Sequence, residues 1–142
     1  MVLFTACGGR DIASEGSTTA SGEGNTPTGS QNVQVSLSEY KITSPLTTFT
    51  AGTTYHFTVK NDGKIAHEFM VLPPMEHGHM GDMSMEDMHK MALSHIENLN
   101  PGETQTIDVT FPASTSGQNL EFSCHLPGHY EAGMKLPVVI NK

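Results

Sequence analysis

The sequence predicts an all-β antiparallel sandwich, and three observations carry that prediction. Short apolar runs alternate with a period of two, turn-forming residues separate them, and only one segment has a helical pattern. Val33, Val35 and Leu37 alternate with polar neighbours, as do Tyr55, Phe57 and Val59, and again Ile107, Val109 and Phe111. Side chains two apart on a strand face the same side, so each triplet marks a core-facing surface. Asn61-Asp62-Gly63, Asn100-Pro101-Gly102 and Ser116-Gly117 supply the turns between runs, through side-chain-to-backbone bonding and glycine's access to positive φ. Leu136–Ile140 reads as a closing strand. Several short strands at this spacing indicate a sandwich, and no internal repeat is visible.

The chain divides by composition. Gly8 to Gln31 is dominated by Gly, Ser, Thr, Glu, Asn and Pro, with Ile12 the lone large apolar residue. Such a segment buries too little surface to offset its ordering entropy and reads as a flexible tether. Residues 1–31 are therefore expected outside the folded unit. Residues 32–142 are expected to form one small domain with a single core, interrupted by an insertion at about 73–100. The formal net charge of −8 and the scattering of seven basic residues argue against nucleic acid. An acidic surface suits a positively charged partner protein. No apolar run is long enough for a transmembrane helix.

The most informative stretch is Cys124-His125-Leu126-Pro127-Gly128-His129-Tyr130-Glu131-Ala132-Gly133-Met134. It sets a thiol, an imidazole and a thioether on one loop leaving a strand-like segment, 119–123. Soft sulfur with imidazole selects copper, and two His, one Cys and a weak axial Met make a blue-copper electron-transfer site. Leu120, Phe122 and Cys124 share one parity, so the thiol points to the apolar face. His67, in Asn61-Asp62-Gly63-Lys64-Ile65-Ala66-His67-Glu68-Phe69, is in phase with Phe69 and Val71 and also points inward. Pro127-Gly128 turns the chain back toward His129, and Gly133 lets it bend before Met134. An inert buried thiol and a gap-filling methionine would explain Cys124 and Met134 singly, but not their spacing together.

These motifs resemble the cupredoxin family, over roughly residues 32 to 142. The resemblance implies a Greek-key β-barrel and one type 1 copper held by His67, Cys124, His129 and Met134, with the longer Cys-to-His loop of some members. It also implies that His129 lies nearest the surface as the electron port. Glu68 stands where many relatives carry a small amide or hydroxyl, and there it either alters the potential by hydrogen bonding or faces solvent, as its parity suggests. His125 has the parity opposite to Cys124 and is expected at the surface. His56, between Tyr55 and Phe57, is expected to be an exposed strand residue.

Cys7 and Cys124 are not paired, because a copper thiolate cannot also sit in a disulfide. Leu3-Phe4-Thr5-Ala6-Cys7-Gly8 resembles the end of a bacterial lipoprotein signal, in which the Cys becomes lipidated. Only six residues precede Cys7, so the segment is read as a truncated signal remnant. A membrane tether through Cys7, and a periplasmic or cell-surface location, follow from that reading.

Between Met75 and His95 lie Met75, His77, His79, Met80, Met83, Met85, Met88, His89, Met91 and His95, six of the nine methionines and four of the eight histidines. Ser84-Met85-Glu86-Asp87 has the chemistry of a helix start. A helix from about Met85 to Ser94 places Met88, Met91 and His95 on one side. Three readings of the segment stand: a packing helix with Met88 and Met91 in gaps, a Met-rich docking patch for a redox partner, and an additional copper site using thioethers and imidazoles. Similar insertions before a turn like Leu99-Asn100-Pro101-Gly102-Glu103 occur in cupredoxin-like proteins associated with bacterial copper tolerance.

The resulting expectation is a monomeric one-electron carrier outside the cytoplasm, working with a redox partner protein. The alternative is a copper-tolerance protein that sequesters or oxidises excess copper with the same site plus the insertion. Copper stoichiometry separates the two. An enzyme is not expected: His77-Gly78-His79 has the His-x-His form used by multicopper oxidases, but one domain lacks the several pairs such a cluster needs.

Overall fold

The structure is a computed structural model that describes residues 31–75 and 83–142. In chain order its strands are β1 (Gln31–Ser38), β2 (Lys41–Thr43), β3 (Thr48–Thr50), β4 (Thr54–Asn61), β5 (His67–Leu72), β6 (Ser94–Leu99), β7 (Thr104–Thr110), β8 (Asn119–Ser123) and β9 (Lys135–Asn141), with helix α1 (Met85–Met91) between β5 and β6. They form two packed layers. One sheet has the order β2-β1-β4-β7 and the other β3-β9-β8-β5-β6. Cys7, the segment before Gln31 expected to be a tether, and the His77, His79 and Met80 part of the insertion lie outside the described residues.

The sandwich is as expected, but it is not wholly antiparallel. β1 pairs with β4, and β3 with β9, in parallel. Alternation along a strand reports which face is buried and says nothing about the direction of its neighbour. Direction is set by connections that cross from one sheet to the other.

The alternating triplets deliver the core. Val33, Val35, Leu37, Tyr55, Phe57, Val59, Val109 and Phe111 are buried in one cluster with Leu120, Phe122, Val138 and Ile140. Phe49 of the short strand β3 is the hub: its ring lies 4.9 Å from Tyr55, 5.0 Å from Phe111, 5.6 Å from Phe122 and 5.7 Å from Phe57, centroid to centroid. Those partners come from both sheets. The Tyr55 hydroxyl, brought in with its ring, accepts a hydrogen bond from the Thr50 N–H at 2.9 Å.

Strand β5 is buried at every residue. His67, Phe69 and Val71 face the sandwich interior, whereas the outer face is covered by α1, whose Met88 packs on Met70 and Leu72. The helix starts where its sequence indicates, with the Ser84 hydroxyl accepting the Asp87 N–H. It ends earlier than expected, at Met91. The Leu93 N–H bonds to the Val71 carbonyl at 2.8 Å, and Ser94 is already opposite Val71 in the sheet, so the ladder captures the chain. Ser94–Leu99, assigned to the insertion by composition, is thus a sheet strand. Met88 packs as expected, but Met91 is 49% exposed.

The outer face of β8 carries a carboxylate. Glu121 is buried beside Tyr130, whose hydroxyl also donates to the Met75 carbonyl. Burial raises the Glu121 pKa, an effect that Tyr130 and Lys135 only partly offset. A carboxyl whose folded pKa exceeds its unfolded value stabilises the fold below the ordinary carboxylate range, and loses that contribution as pH rises through the folded value.

Two outcomes follow. Phe49→Ala is expected to destabilise the protein by ~3–5 kcal/mol in chemical denaturation, through lost transfer energy and an incompletely collapsed cavity. Glu121→Gln is expected to flatten the decline of stability as pH rises from about 4.5, with higher stability than the parent at neutral pH, measured by denaturation across pH.

Candidate metal centre

The centre follows from two strand registers. Ser123 of β8 is opposite Lys135 of β9, so the next pair toward the loop is Cys124 with Met134. Their backbones are joined accordingly, the Cys124 N–H donating to the Met134 carbonyl at 3.1 Å. Residues directly opposite in an antiparallel pair share a face, and both side chains are fully buried on the inner one. On the other side of β8, Ser123 is opposite Met70, which brings the start of β5 alongside Cys124. The Glu68 N–H points at the Cys124 Sγ at 3.5 Å.

Between Cys124 and Met134 the loop folds onto itself. The His129 N–H donates to the Leu126 carbonyl at 2.9 Å, and the Met134 N–H returns to the His129 carbonyl at 3.0 Å. Gly128 (φ 82°) and Gly133 (φ 103°) take the left-handed backbone these reversals need.

The donors converge. His67 Nδ1 lies 3.3 Å from His129 Nδ1, which lies 3.4 Å from Cys124 Sγ, and the three donor atoms fall within 4.8 Å of one another. Metal–nitrogen bonds of about 2.0 Å and metal–sulfur bonds of about 2.3 Å separate neighbouring ligands by ~3.3–3.8 Å, so the triad fits one ion of that size. Two imidazole nitrogens and a thiol sulfur are also the donor types that copper selects. Met134 lies on the same buried face. His129 is half-buried, with the exposed Tyr40 ring edge-on to it at 5.5 Å.

His67 is held from behind by the turn that precedes β5. The buried Asn61 amide donates to the Ile65 and Leu99 carbonyls, both at 2.8 Å, and its oxygen accepts the Gly63 N–H at 2.9 Å. The Lys64 N–H bonds to the Glu39 carboxylate. At Gly63 an added Cβ would lie 2.9 Å from Glu39 Oε1 and 3.1 Å from both Asn61 Oδ1 and His67 Nε2, so the backbone passes where a side chain would disturb the imidazole. Asn61 and Gly63 belong to the motif visible in the sequence. Glu39 and Tyr40, from the β1–β2 turn, carried no sequence signal because only the fold brings them near.

No protein-family model matches the sequence. The chain is 29% identical over 135 residues to the copper-resistant cuproprotein CopI of Pseudomonas aeruginosa, a match spanning 74% of this chain and 73% of that protein. To the protein of the same name from Rubrivivax gelatinosus it is 28% identical over 116 residues, 78% of this chain and 66% of the relative. Among solved structures, dithionite-reduced auracyanin from Roseiflexus castenholzii matches with a TM-score of 0.61 at 22% identity, covering 80% of this chain and 98% of that one. The chain has the cupredoxin fold.

Two sequence expectations are corrected by what covers the outer face of β5 and β8. Glu68 does not face solvent: it is 2% exposed beneath α1, and its Oε1 accepts the His125 N–H at 2.7 Å. His125 is not at the surface either. It is 5% exposed, with Nε2 2.9 Å from the Ser123 hydroxyl and its ring stacked on Tyr130 at 4.6 Å. Parity gave the correct side of the sheet for both residues, and the sequence pattern did not reveal the second layer over it. His56 is a half-exposed strand residue, as expected, and pairs with Asp108 across the sheet at 2.5 Å.

Burial sets the charge state of the centre. It pushes the Cys124 thiol up to about 11, against the opposing effect of the Glu68 N–H. Burial, followed by the neighbouring His129, lowers the His67 pKa. At neutral pH the protein therefore presents a protonated thiol and a neutral His67. A thiol must lose its proton to become a metal ligand. Cu(II) binding near pH 7 is expected to release about one proton from Cys124, seen as a binding enthalpy that varies with the ionisation enthalpy of the buffer. Cys124→Ser is expected to remove that dependence.

Proposed function

We propose that this protein is a type 1 copper protein that carries single electrons outside the cytoplasm. His67, Cys124 and His129 would hold the ion and Met134 would serve as its weak axial ligand. The single observation that carries the reading is the convergence of His67 Nδ1, Cys124 Sγ and His129 Nδ1 on one buried point beside Met134. When bound, copper supplies a one-electron couple.

The chain's own residues supply the rest. Asn61 and the loop bonds fix the donors before the ion arrives, so a change of charge need not move them. Burial of Cys124 and Met134 keeps water from the sulfur atoms. The Glu68 N–H aimed at Cys124 Sγ stabilises negative charge there, a lever on the potential. His129, half-buried at the loop edge, gives a partner protein the shortest way in. The role is one of transfer without substrate turnover. Among the described residues no helix is long and apolar enough to cross a membrane, and attachment through Cys7 remains part of the proposal.

The relatives favour a second reading. Both relatives described above are named as copper-resistant cuproproteins, which points to copper tolerance served by the same centre.

Optical titration of the full chain with Cu(II) tests the first reading. An intense visible thiolate-to-copper band is expected, saturating at one equivalent and absent in Cys124→Ser. A folded protein that takes up Cu(II) without such a band would overturn the assignment of these ligands.

A further inference from the structure

A second cluster of metal-binding side chains lies on the outer face of the same sheet, opposite the inner face that carries the Cys124 side chain. His89 occupies the last turn of α1, and His95 and Glu97 lie two apart on β6, on one side of the strand. Ile96 between them points into the core. His89 Nδ1 is 2.8 Å from Glu97 Oε1, and His95 Nε2 is 3.3 Å from the same oxygen. The two imidazoles stack at 4.4 Å with an interplanar angle of 12°. One donor atom from each of the three residues falls within 4.8 Å of the others.

The local backbone is built around this cluster. β6 is bulged opposite β5: His67 faces Leu99 but Phe69 faces Ile96, so Glu97 and Asn98 together oppose Glu68. Asn98 has a positive φ of 50°, the conformation that absorbs an extra residue, and bulges re-aim side chains beside functional sites. Here the bulge sets Glu97 and Glu68 on either side of His89.

With His89 neutral, hydrogen bonding alone leaves the cluster incomplete. If His89 donates its Nδ1–H to Glu97, the neutral ring's Nε2 becomes an acceptor. That Nε2 is buried, makes no hydrogen bond within 3.5 Å, and faces the Glu68 Oε2 at 3.8 Å. A lone pair turned toward a buried carboxylate is unfavourable. A cation bound at His89 Nδ1 reverses the arrangement: Nε2 then carries the proton, directed at Glu68. A ligand histidine that passes its other N–H to a carboxylate is the usual support of metal sites.

We propose that His89, His95 and Glu97 form a second metal site, with Glu68 as the carboxylate behind His89, and that its occupant is Cu(II). Two imidazoles and one carboxylate suit a borderline divalent ion, and Cu(II) binds such donors most tightly among the first-row metals. The site is independent of the thiolate centre in its ligands. It is joined to that centre through Glu68, which follows His67 in sequence and bonds the backbone of His125, the residue after Cys124. Met85 and Met88 of α1, and Met83 just before it, are not part of it: they pack with Met70 and Leu72.

The test is a Cu(II) titration of the full chain followed by electron paramagnetic resonance alongside optical absorption. The wild type is expected to bind one equivalent beyond the thiolate centre, with nitrogen hyperfine structure and no intense visible band. His89→Ala/His95→Ala and, separately, the milder Glu97→Gln are expected to weaken that equivalent tenfold or more. An unchanged visible band in these variants would show that the fold persists. Absence of a further equivalent in the wild type overturns the proposal. So does an equivalent that survives in His89→Ala/His95→Ala, or one lost only in His77→Ala/His79→Ala. Failure of the thiolate centre would instead appear as a missing visible band, whatever the resonance spectrum shows.

Discussion

The pairing of β5 with β8 is the constraint on which the rest of the structure depends. Met70 opposite Ser123, Val71 opposite Phe122 and Leu72 opposite Glu121 fix where β5 begins relative to where β8 ends. A slip of one residue would turn His67 and Phe69 outward and carry Glu68 into the core. Two costs oppose such a slip. Phe69 would leave its aromatic neighbours Phe57 and Phe122, and a carboxylate would enter an apolar interior, a penalty of several kcal/mol even after relaxation. The hydrophobic pattern of β5 and β8 thus enforces the meeting of His67 and Cys124, although neither residue's ligand chemistry contributes to folding.

From that register the remaining geometry propagates locally. β8 and β9 form a hairpin whose innermost pair is Cys124 and Met134, so the thiol and thioether share a face because of strand pairing. The connecting loop has only to return one imidazole, and glycines at positive φ together with backbone hydrogen bonds across the loop accomplish this. Donors held by backbone pairing are rigid without a metal, as a centre needs if its ligands are to stay in place on electron transfer.

These features divide clearly by how far they could be read from sequence. The Cys124, His129 and Met134 spacing was legible because it spans eleven consecutive residues, where local turn chemistry constrains the path. The placement of His67 was legible from alternation, since the same period that buries Phe69 and Val71 directs the imidazole. The parallel pairings of β1 with β4 and β3 with β9 were not, because each depends on a connection crossing between sheets. The burial of Glu68 and His125 was missed for a related reason. Alternation assigns a side of the sheet, but whether that side meets water depends on α1 and on Tyr130, which arrive from other parts of the chain. The early end of α1 has the same origin: helix chemistry continues past Met91, but the free edge of β5 takes Leu93 and Ser94 into the sheet.

Helix α1 therefore has a role that its methionine content conceals. By covering the outer face of β5 it turns a one-sided sheet strand into a strand buried on both sides, and so brings Glu68 out of water. A buried carboxylate requires partners. One oxygen finds the His125 N–H, extending the β5–β8 contact beyond the last residue of β8 and tightening the loop that begins at Cys124. The other oxygen faces His89, placed by the last turn of the helix. Glu68 thus couples the docking of α1 to the backbone next to Cys124. Whatever shifts α1 alters the pull on His125, and whatever moves the loop alters the carboxylate behind His89. A residue at a position where alternation alone would leave it in solvent becomes the physical link between the two faces of the sheet.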